Sequence, residues 1–347
     1  MGFDVSYHPV DLELVLRLAR YVAGQGSIEE LVDRACGLEL RRFRAKAWGL
    51  ALINVQHAEH DAWREAARKG KTKSKTKKKA DDAPVAMRTV RVDSNLHVWG
   101  RPFLITADEP PEVSTTIDSY LAATTNGEVD SLARQAIKHI APGLEKELKP
   151  DSDGGPPAKK ELPGIVLRDV DVLPEVYEAA RRGKRTMTLP SGDSADPKRV
   201  LASSLPLLVL AFTARFRPGW MDRGTVWPSL LMQEARLAPR GFFDPPRALF
   251  GALLEELPSS VGKQLSATIT ENYMVGGLVP AERVPELRRL LLDKREALLG
   301  KPRKEGWEEE CLVSLRKIDE ALADAEQRGL PLAEATEVYS GPLGIMN

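Results

Sequence analysis

Two histidines and two acidic residues lie close together in the segment HAEHD, residues 57–61. His57 and His60 are three residues apart, so in a helix both imidazoles face one side and can bind the same metal ion. Glu59 and Asp61 would add carboxylate oxygens. The segment does not match the HExxH pattern of zinc proteases, so further ligands would have to come from elsewhere. The alternative is two exposed polar residues near a helix end. A metal-assisted hydrolase is therefore one hypothesis, and no organic cofactor is expected.

A run of basic residues forms the second candidate site, in the segment RKGKTKSKTKKKADDAP at 68–84. Residues 68–79 carry eight positive charges and no acid, while the whole chain has a net charge of zero, so the remainder carries about −8. Such a run can contact phosphates without sequence preference, and it lacks interleaved aromatic side chains for stacking on bases. We expect a solvated loop, with weak, non-specific nucleic-acid binding as the alternative. The candidate polyanion contacts are Lys73, Lys75, Lys77, Lys78 and Lys79.

Aromatic residues and arginines are concentrated between residues 212 and 250. Tryptophan, other aromatics and arginine dominate protein–protein hot spots, because they bury a large area and hydrogen-bond at their edges. The alternative is that these rings form the domain core while the arginines pair with acids elsewhere. Turn residues such as Pro218-Gly219 favour exposure of the segment 215–227. The predicted interaction residues are Arg215, Phe216, Arg217, Trp220, Arg223 and Trp227.

The cysteine content and the hydropathy pattern predict the compartment. Cys36 and Cys311 are the only two cysteines and lie far apart, which is typical of reduced thiols in the cytoplasm. The chain starts without a basic segment before an apolar stretch, so no signal peptide is expected. The longest apolar run, at 203–214, is too short to cross a bilayer, and we expect no membrane partner.

The elements that must position these residues are mostly helical. FDVSY (3–7) alternates like a strand, and apolar spacing predicts a long amphipathic helix from 38 to about 67. The alternative for WGLALINV (48–55) within it is a strand. Alternation between 90 and 105 predicts two or three strands, and 129–143 predicts a helix. Further helices are expected at 173–183, 199–215, 227–237, 245–257, 259–270, 282–300 and 307–329.

These patterns predict an α+β protein dominated by helices. We expect an α+β module at 1–148 with a lysine-rich insertion loop at 67–86, a linker at 149–164 and a mainly helical module at 165–347. The favoured function is a non-catalytic cytoplasmic binder of the immunity or adaptor type that holds one protein partner. The hydrolase and the nucleic-acid-associated protein are the alternatives.

Overall fold

The structure is a computed structural model, and the protein is α+β and mostly helical, as predicted. The description covers residues 3–73, 118–140, 142–150, 156–168, 170–217, 219–224, 226–236, 241–255, 257–259, 261, 268–299, 307–336 and 338. Within these residues the chain forms two compact units. Those of 3–39 and 157–338 form unit 1, and those of 40–156 form unit 2.

The helices follow the apolar spacing of the sequence in most places. They are α1 (Leu12–Val22), α2 (Glu29–Lys73), α3 (Asn126–Ile140), α4 (Leu144–Glu147), α5 (Leu162–Leu167), α6 (Leu173–Arg181), α7 (Pro197–Thr213), α8 (Pro228–Ala235), α9 (Val284–Asp293), α10 (Arg295–Leu299) and α11 (Trp307–Arg328). Short 3₁₀ helices span Lys159–Glu161, Pro246–Glu255 and Ala281–Arg283. Several helices begin with proline in their first turn, where the missing N–H has no cost.

A four-stranded antiparallel sheet lies at the centre of unit 1, in the order β4-β1-β6-β5. Its strands are β1 (Phe3–Pro9), β4 (Trp220–Gly224), β5 (Val275–Val279) and β6 (Leu332–Thr336). A separate two-stranded ribbon pairs β2 (Met187–Thr188) with β3 (Ser194–Ala195). Tyr7 of β1 lies opposite both Trp220 and Glu334, so these three side chains share one face of the sheet.

Helices cover the four-stranded sheet. α11 packs against β1, β4 and β6, while α7 and the 3₁₀ helix Pro246–Glu255 pack against β5. All five residues of β5 and all five of β6 are buried, so the sheet belongs to the interior of unit 1. The polar side chains that these strands carry therefore need partners inside the protein.

Unit 2 has a core of its own, built around Trp48 of α2. Trp48 packs with Val129, Ala133 and Ile137 of α3 and with other apolar residues. Asp130 accepts hydrogen bonds from Trp48 Nε1 at 2.7 Å and from Arg44 Nε at 2.6 Å. These bonds attach the polar face of α3 to α2, beside the apolar contacts.

The domain boundaries differ from the predicted ones. The sequence interpretation placed residues 1–148 in one module and 165–347 in another, but β1 pairs with β4 and β6, so residues 3–39 belong to the same unit as 157–338. The interpretation failed because strand pairing joins segments more than 200 residues apart, and local periodicity carries no information on such pairing.

Two predicted loops are partly helical. α2 continues to Lys73, so the first residues of the predicted insertion loop at 67–86 form the end of a helix. In the predicted linker at 149–164, a 3₁₀ helix forms at Lys159–Glu161 and α5 begins at Leu162, whose side chain is buried. The predicted strands between 90 and 105 lie outside the described residues, as does most of the predicted helix at 259–270.

In the part of the chain that the structure describes, none of the helices combines the length and the apolar character that a bilayer crossing requires.

Candidate functional site

The aromatic side chains of the predicted interaction segment lie inside unit 1. Trp220 is fully buried, and Phe216 and Trp227 are exposed by less than a tenth. The two indole N–H groups have interior partners, because Trp220 Nε1 donates to Glu320 Oε2 at 3.0 Å and Trp227 Nε1 donates to Thr268 Oγ1 at 2.9 Å. The prediction that these rings face solvent is wrong, and the alternative of an aromatic core is confirmed.

The arginines of the same segment pair with carboxylates of unit 1. Arg215 Nε lies 3.5 Å from Glu39 Oε2, and Arg217 Nε donates to Asp324 Oδ2 at 2.7 Å. Glu39 and Asp324 are themselves buried. Of Arg223 only the backbone, paired with Asp4 in the sheet, is described. Arg215 and Arg217 therefore neutralise buried acids and do not form a solvent-facing patch.

Among the residues that the structure describes, the two histidines of the predicted metal site are not joined by further ligands. His57 is exposed, and His60 stacks on Trp63 with ring centroids 6.1 Å apart. Within the described residues, no three histidine, cysteine, aspartate or glutamate side chains are grouped closely enough to hold a metal ion. The described residues thus add no ligand to His57 and His60, and the metal site stays a prediction.

Of the predicted polyanion contacts, Lys73 is the last residue of α2. Lys75, Lys77, Lys78 and Lys79 lie outside the described residues. The nucleic-acid hypothesis therefore stays a prediction from charge alone.

A buried glutamate on β6 is the first feature that the sequence analysis did not identify. Glu334 accepts hydrogen bonds from the backbone N–H of Ser229 at 3.0 Å and of Gly277 at 3.2 Å, and from the Ser229 hydroxyl. The Ser229 hydroxyl also contacts Thr268 Oγ1 at 2.9 Å. The network thus joins β6, β5 and the first turn of α8. It also includes Thr268, which accepts the hydrogen bond from the Trp227 indole.

Burial raises the pKa of Glu334 to about 7, against the lowering effect of the bonds from Ser229 and Gly277. The carboxyl group is also tightly enclosed, since a Cβ added at Gly276 would lie 2.8 Å from Glu334 Oε1 and from Ile269 Cγ1. An acid with this pKa suits general acid–base catalysis. Because Glu334 is only 2% exposed, no route for a substrate is evident, and we assign it a structural role.

His8 is a second buried titratable group, on the strand next to β6. Burial lowers the pKa of His8 to about 3, and neither ring nitrogen has a hydrogen-bond partner among the described residues. His8 follows Tyr7 in β1, so its ring projects from the opposite face of the sheet to Glu334. The two groups therefore cannot act as an acid–base pair.

A groove lined mainly by leucines lies between α9, α10 and α11 on unit 1. It has a volume of about 350 Å³ and is lined by Leu291, Leu292, Arg295, Leu312, Leu315, Arg316, Asp319 and Leu322. Leu292 is 52% exposed and Leu312 is half-buried, whereas Leu291, Leu315 and Leu322 are buried. The described lining contains no serine, cysteine or histidine, so it has no nucleophile or imidazole for catalysis.

Of the charged residues at the edge of the groove, the acid is paired with an arginine of unit 1 and the two arginines are not paired within the described residues. Asp319 accepts a hydrogen bond from Arg288 Nε at 2.7 Å. Arg295 and Arg316 have no ion-pair partner within the described residues, and Arg295 is exposed. The groove therefore combines leucine side chains with two available guanidinium groups.

The sequence carried a signal for this groove that the amphipathic pattern concealed. In ELRRLLLDK, Leu287 and Leu291 lie on the buried stripe of α9, while Leu292 is one position off that stripe. Leu312 is similarly displaced from the stripe of Cys311 and Leu315 on α11. In the sequence, the groove is visible only as these two leucines, each one residue off a buried stripe.

Comparison with known proteins adds no functional assignment. No family model, no curated protein and no solved structure matches this chain. The functional proposal therefore depends on the side chains and surfaces described above.

Proposed function

We propose that this protein is a non-catalytic interaction protein of the immunity or adaptor type, which binds a protein partner in the groove between α9, α10 and α11. The observation that carries the proposal is the groove itself, at whose surface Leu292 is 52% exposed and Leu312 is half-buried. Leucine side chains at the surface of a groove offer apolar area that a partner can cover, with charged side chains beside it to fix the partner's orientation.

The buried groups favour binding over catalysis. Glu334 and His8 have shifted pKa values, but both are at most 2% exposed and they project from opposite faces of the sheet. Shifted pKa values at catalytic sites occur in clefts that admit a substrate. Burial and internal hydrogen bonding account for the properties of Glu334 without a reaction.

A cytoplasmic location is part of the proposal. Both cysteines are free thiols, and Cys311 is buried in unit 1. Burial raises the pKa of Cys311 to about 11, so this thiol is inert at neutral pH. Free, structural thiols are typical of proteins in a reducing compartment.

The proposal is tested by comparing partner capture by the wild type and by Leu292→Glu. The glutamate places a charge in the apolar groove without disturbing the core, since Leu292 is 52% exposed. Tyr273→Asn is the control, because Tyr273 is 61% exposed elsewhere on unit 1 and its φ of 59° is one that asparagine tolerates.

The captured partner is purified, and its affinity for the three proteins is measured by calorimetry. We expect Leu292→Glu to weaken binding at least about tenfold, a free-energy change of about 1.4 kcal/mol, and Tyr273→Asn to leave it unchanged. A partner held equally by the wild type and by Leu292→Glu would refute the groove as the binding site.

A further inference from the structure

The groove follows the axis of α11 for about three turns. Its lining residues on that helix are Leu312, Leu315, Arg316, Asp319 and Leu322, which are spaced at three, four, seven and ten residues from the first. Leu315 and Leu322 belong to the buried stripe of α11, while Leu312, Arg316 and Asp319 are half-buried beside it. Ten residues of α-helix extend about 15 Å. The opposite wall consists of Leu291, Leu292 and Arg295 of α9 and α10. The groove is therefore elongated and bounded by helices on both sides.

This shape fits a third helix better than an added strand. A helix that lies between two others places its side-chain ridges in the groove between them, at interaxial distances of about 8–10 Å. Strand addition needs a free sheet edge, and neither wall of the groove is a strand. The edge strand β5 is also paired with the segment before the 3₁₀ helix Pro246–Glu255, because Asp244 N–H donates to Leu278 O at 2.8 Å and Leu278 N–H donates to Asp244 O at 2.9 Å.

The charges at the edge determine which helix fits. Asp319 is matched by Arg288, whose second nitrogen Nη1 pairs with Glu326 Oε2 at 3.0 Å. The guanidinium groups of Arg295 and Arg316 have no matching carboxylate among the described residues. A partner that approaches the leucines can therefore gain two ion pairs if it carries acids, and it meets repulsion if it carries bases.

We propose that the groove binds an amphipathic helix of a partner protein, whose apolar stripe contacts Leu292 and Leu312 and whose flanking aspartates or glutamates pair with Arg295 and Arg316. This inference rests on the proposed function and specifies the chemistry of the partner. The helix would present apolar residues at i, i+3 and i+7, which is the spacing of one face of an amphipathic helix.

The test uses two labelled helical peptides of about 15 residues that share one leucine stripe with this spacing, and the peptides are chemically stapled because short helices are marginal in water. One carries glutamates beside the stripe, and the other carries lysines at the same positions. Binding to the full-length protein is followed by fluorescence anisotropy at low salt, where exposed charges contribute most. We expect the acidic peptide to bind at least about fivefold more tightly than the basic one, from two partly exposed ion pairs.

Charge reversal in the protein provides the decisive comparison. The double variant Arg295→Glu and Arg316→Glu should bind the basic peptide more tightly than the acidic one, which a merely structural role of these arginines would not produce. Arg289→Glu is the matched control, because Arg289 lies on α9 outside the groove lining and its side chain is 64% exposed. That variant should keep the preference of the wild type.

Each outcome separates this inference from the proposed function. Equal binding of both peptides, or binding of neither, overturns the acidic helix as the occupant, while Leu292-dependent capture of the cellular partner would still support the groove as a binding site. Sedimentation velocity tests a second copy of the chain as the occupant. If the wild type is a dimer and Leu292→Glu is a monomer, the second copy occupies the groove and the inference is overturned. Capture that is insensitive to Leu292→Glu refutes the proposed function itself.

Discussion

At the scale of single residues, the sheet of unit 1 holds two titratable groups whose burial acts in opposite directions. Glu334 is favoured in its protonated form, and its pKa is raised to about 7 from 4.5. His8 is favoured in its neutral form, and its pKa is lowered to about 3 from 6.5. Both groups are thus uncharged in the folded state across mildly acidic pH, which avoids the large cost of a buried charge.

The first prediction concerns the pH dependence that Glu334 imposes on stability. Because the folded pKa lies above the unfolded one, the stabilisation by the protonated form is fully present below pH 4.5 and is lost as the pH rises to about 7. The loss is about 3 kcal/mol, and Glu334→Gln should remove it because glutamine does not titrate. Urea unfolding at a series of pH values measures this difference.

The comparison between the two proteins isolates Glu334 from the other titrating groups. Relative to the wild type, Glu334→Gln should gain stability as the pH rises from 4.5 to 7. His8 affects stability in the opposite direction, since its stabilisation is lost as the pH falls from 6.5 towards 3. Because His8 is present in both proteins, its effect cancels in the difference between them. Parallel pH profiles for the wild type and the variant would contradict the buried, protonated state of Glu334.

The second prediction concerns the space around His8. A Cβ at Gly219 would lie 2.3 Å from His8 Nδ1 and 2.7 Å from the backbone oxygen of Tyr7, so Gly219→Ala should shift the strand or the ring and destabilise the protein by about 2 kcal/mol. Gly164→Ala is the matched control, because its Cβ meets nothing within 4 Å and Gly164 lies inside the short helix α5. That change should be neutral or stabilising by up to about 1 kcal/mol. Similar urea midpoints for the two variants would contradict the close packing at His8.

At the scale of elements, α11 carries a buried polar stripe beside its apolar one. Lys317, Glu320 and Asp324 are all less than 10% exposed. Glu320 receives the indole proton of Trp220, and Asp324 receives hydrogen bonds from Arg217 and from Arg328 Nε at 3.1 Å. The charged residues of α11 thus fix how the segment between α7 and β4 packs on this helix.

The third prediction distinguishes the structural role of Arg217 from an interface role. Arg217→Ala leaves the buried carboxylate of Asp324 with Arg328 as its remaining described arginine partner, so we expect a loss of about 3 kcal/mol in stability. Arg289→Ala breaks an exposed pair with Asp293 on α9 and should cost less than about 1 kcal/mol. Thermal unfolding of both variants provides the measurement. An unchanged melting temperature for Arg217→Ala would restore the view that this arginine serves a partner.

At the scale of the whole molecule, charge is distributed unevenly along a chain that is neutral overall. The basic residues at 68–79 offset a remainder of about −8. A body with this charge repels polyanions at long range, so we expect any nucleic-acid binding to come from the basic run.

The fourth prediction follows from this separation of charge. Replacing Lys73, Lys75, Lys77, Lys78 and Lys79 by glutamine should abolish weak binding to single-stranded RNA, and the wild-type affinity should fall steeply with salt and show no sequence preference. Lys159→Gln with Lys160→Gln is the control, since both lysines are exposed in a 3₁₀ helix and should not matter. Sequence-selective binding that survives the five substitutions would show that another surface reads nucleic acid. Filter binding at several salt concentrations measures all three proteins.

Much of the helical structure could be predicted because its signals are local. The stripes of α9 and α11 are complete in sequence, and α11 begins and ends within two residues of the expected positions. Strands β4, β5 and β6 were missed, since WMDRG, VGGLV and LAEAT contain the glycine, alanine and acidic residues that strand propensity disfavours. Their positions depend on pairing with β1 and on burial by helices.

By itself the sequence determined the α+β class, the predominance of helix, the basic run and the periodic faces of the long helices, because each depends on neighbours a few residues apart. Only the tertiary structure decided that Trp220 and Trp227 are core residues, that Arg217 neutralises a buried acid, that Glu334 is enclosed and that Leu292 stays exposed. Each of these facts depends on which distant segment covers a side chain, and Arg217 and Asp324, for example, are 107 residues apart along the chain. Burial is a property of the packed molecule, whereas periodicity is a property of the chain.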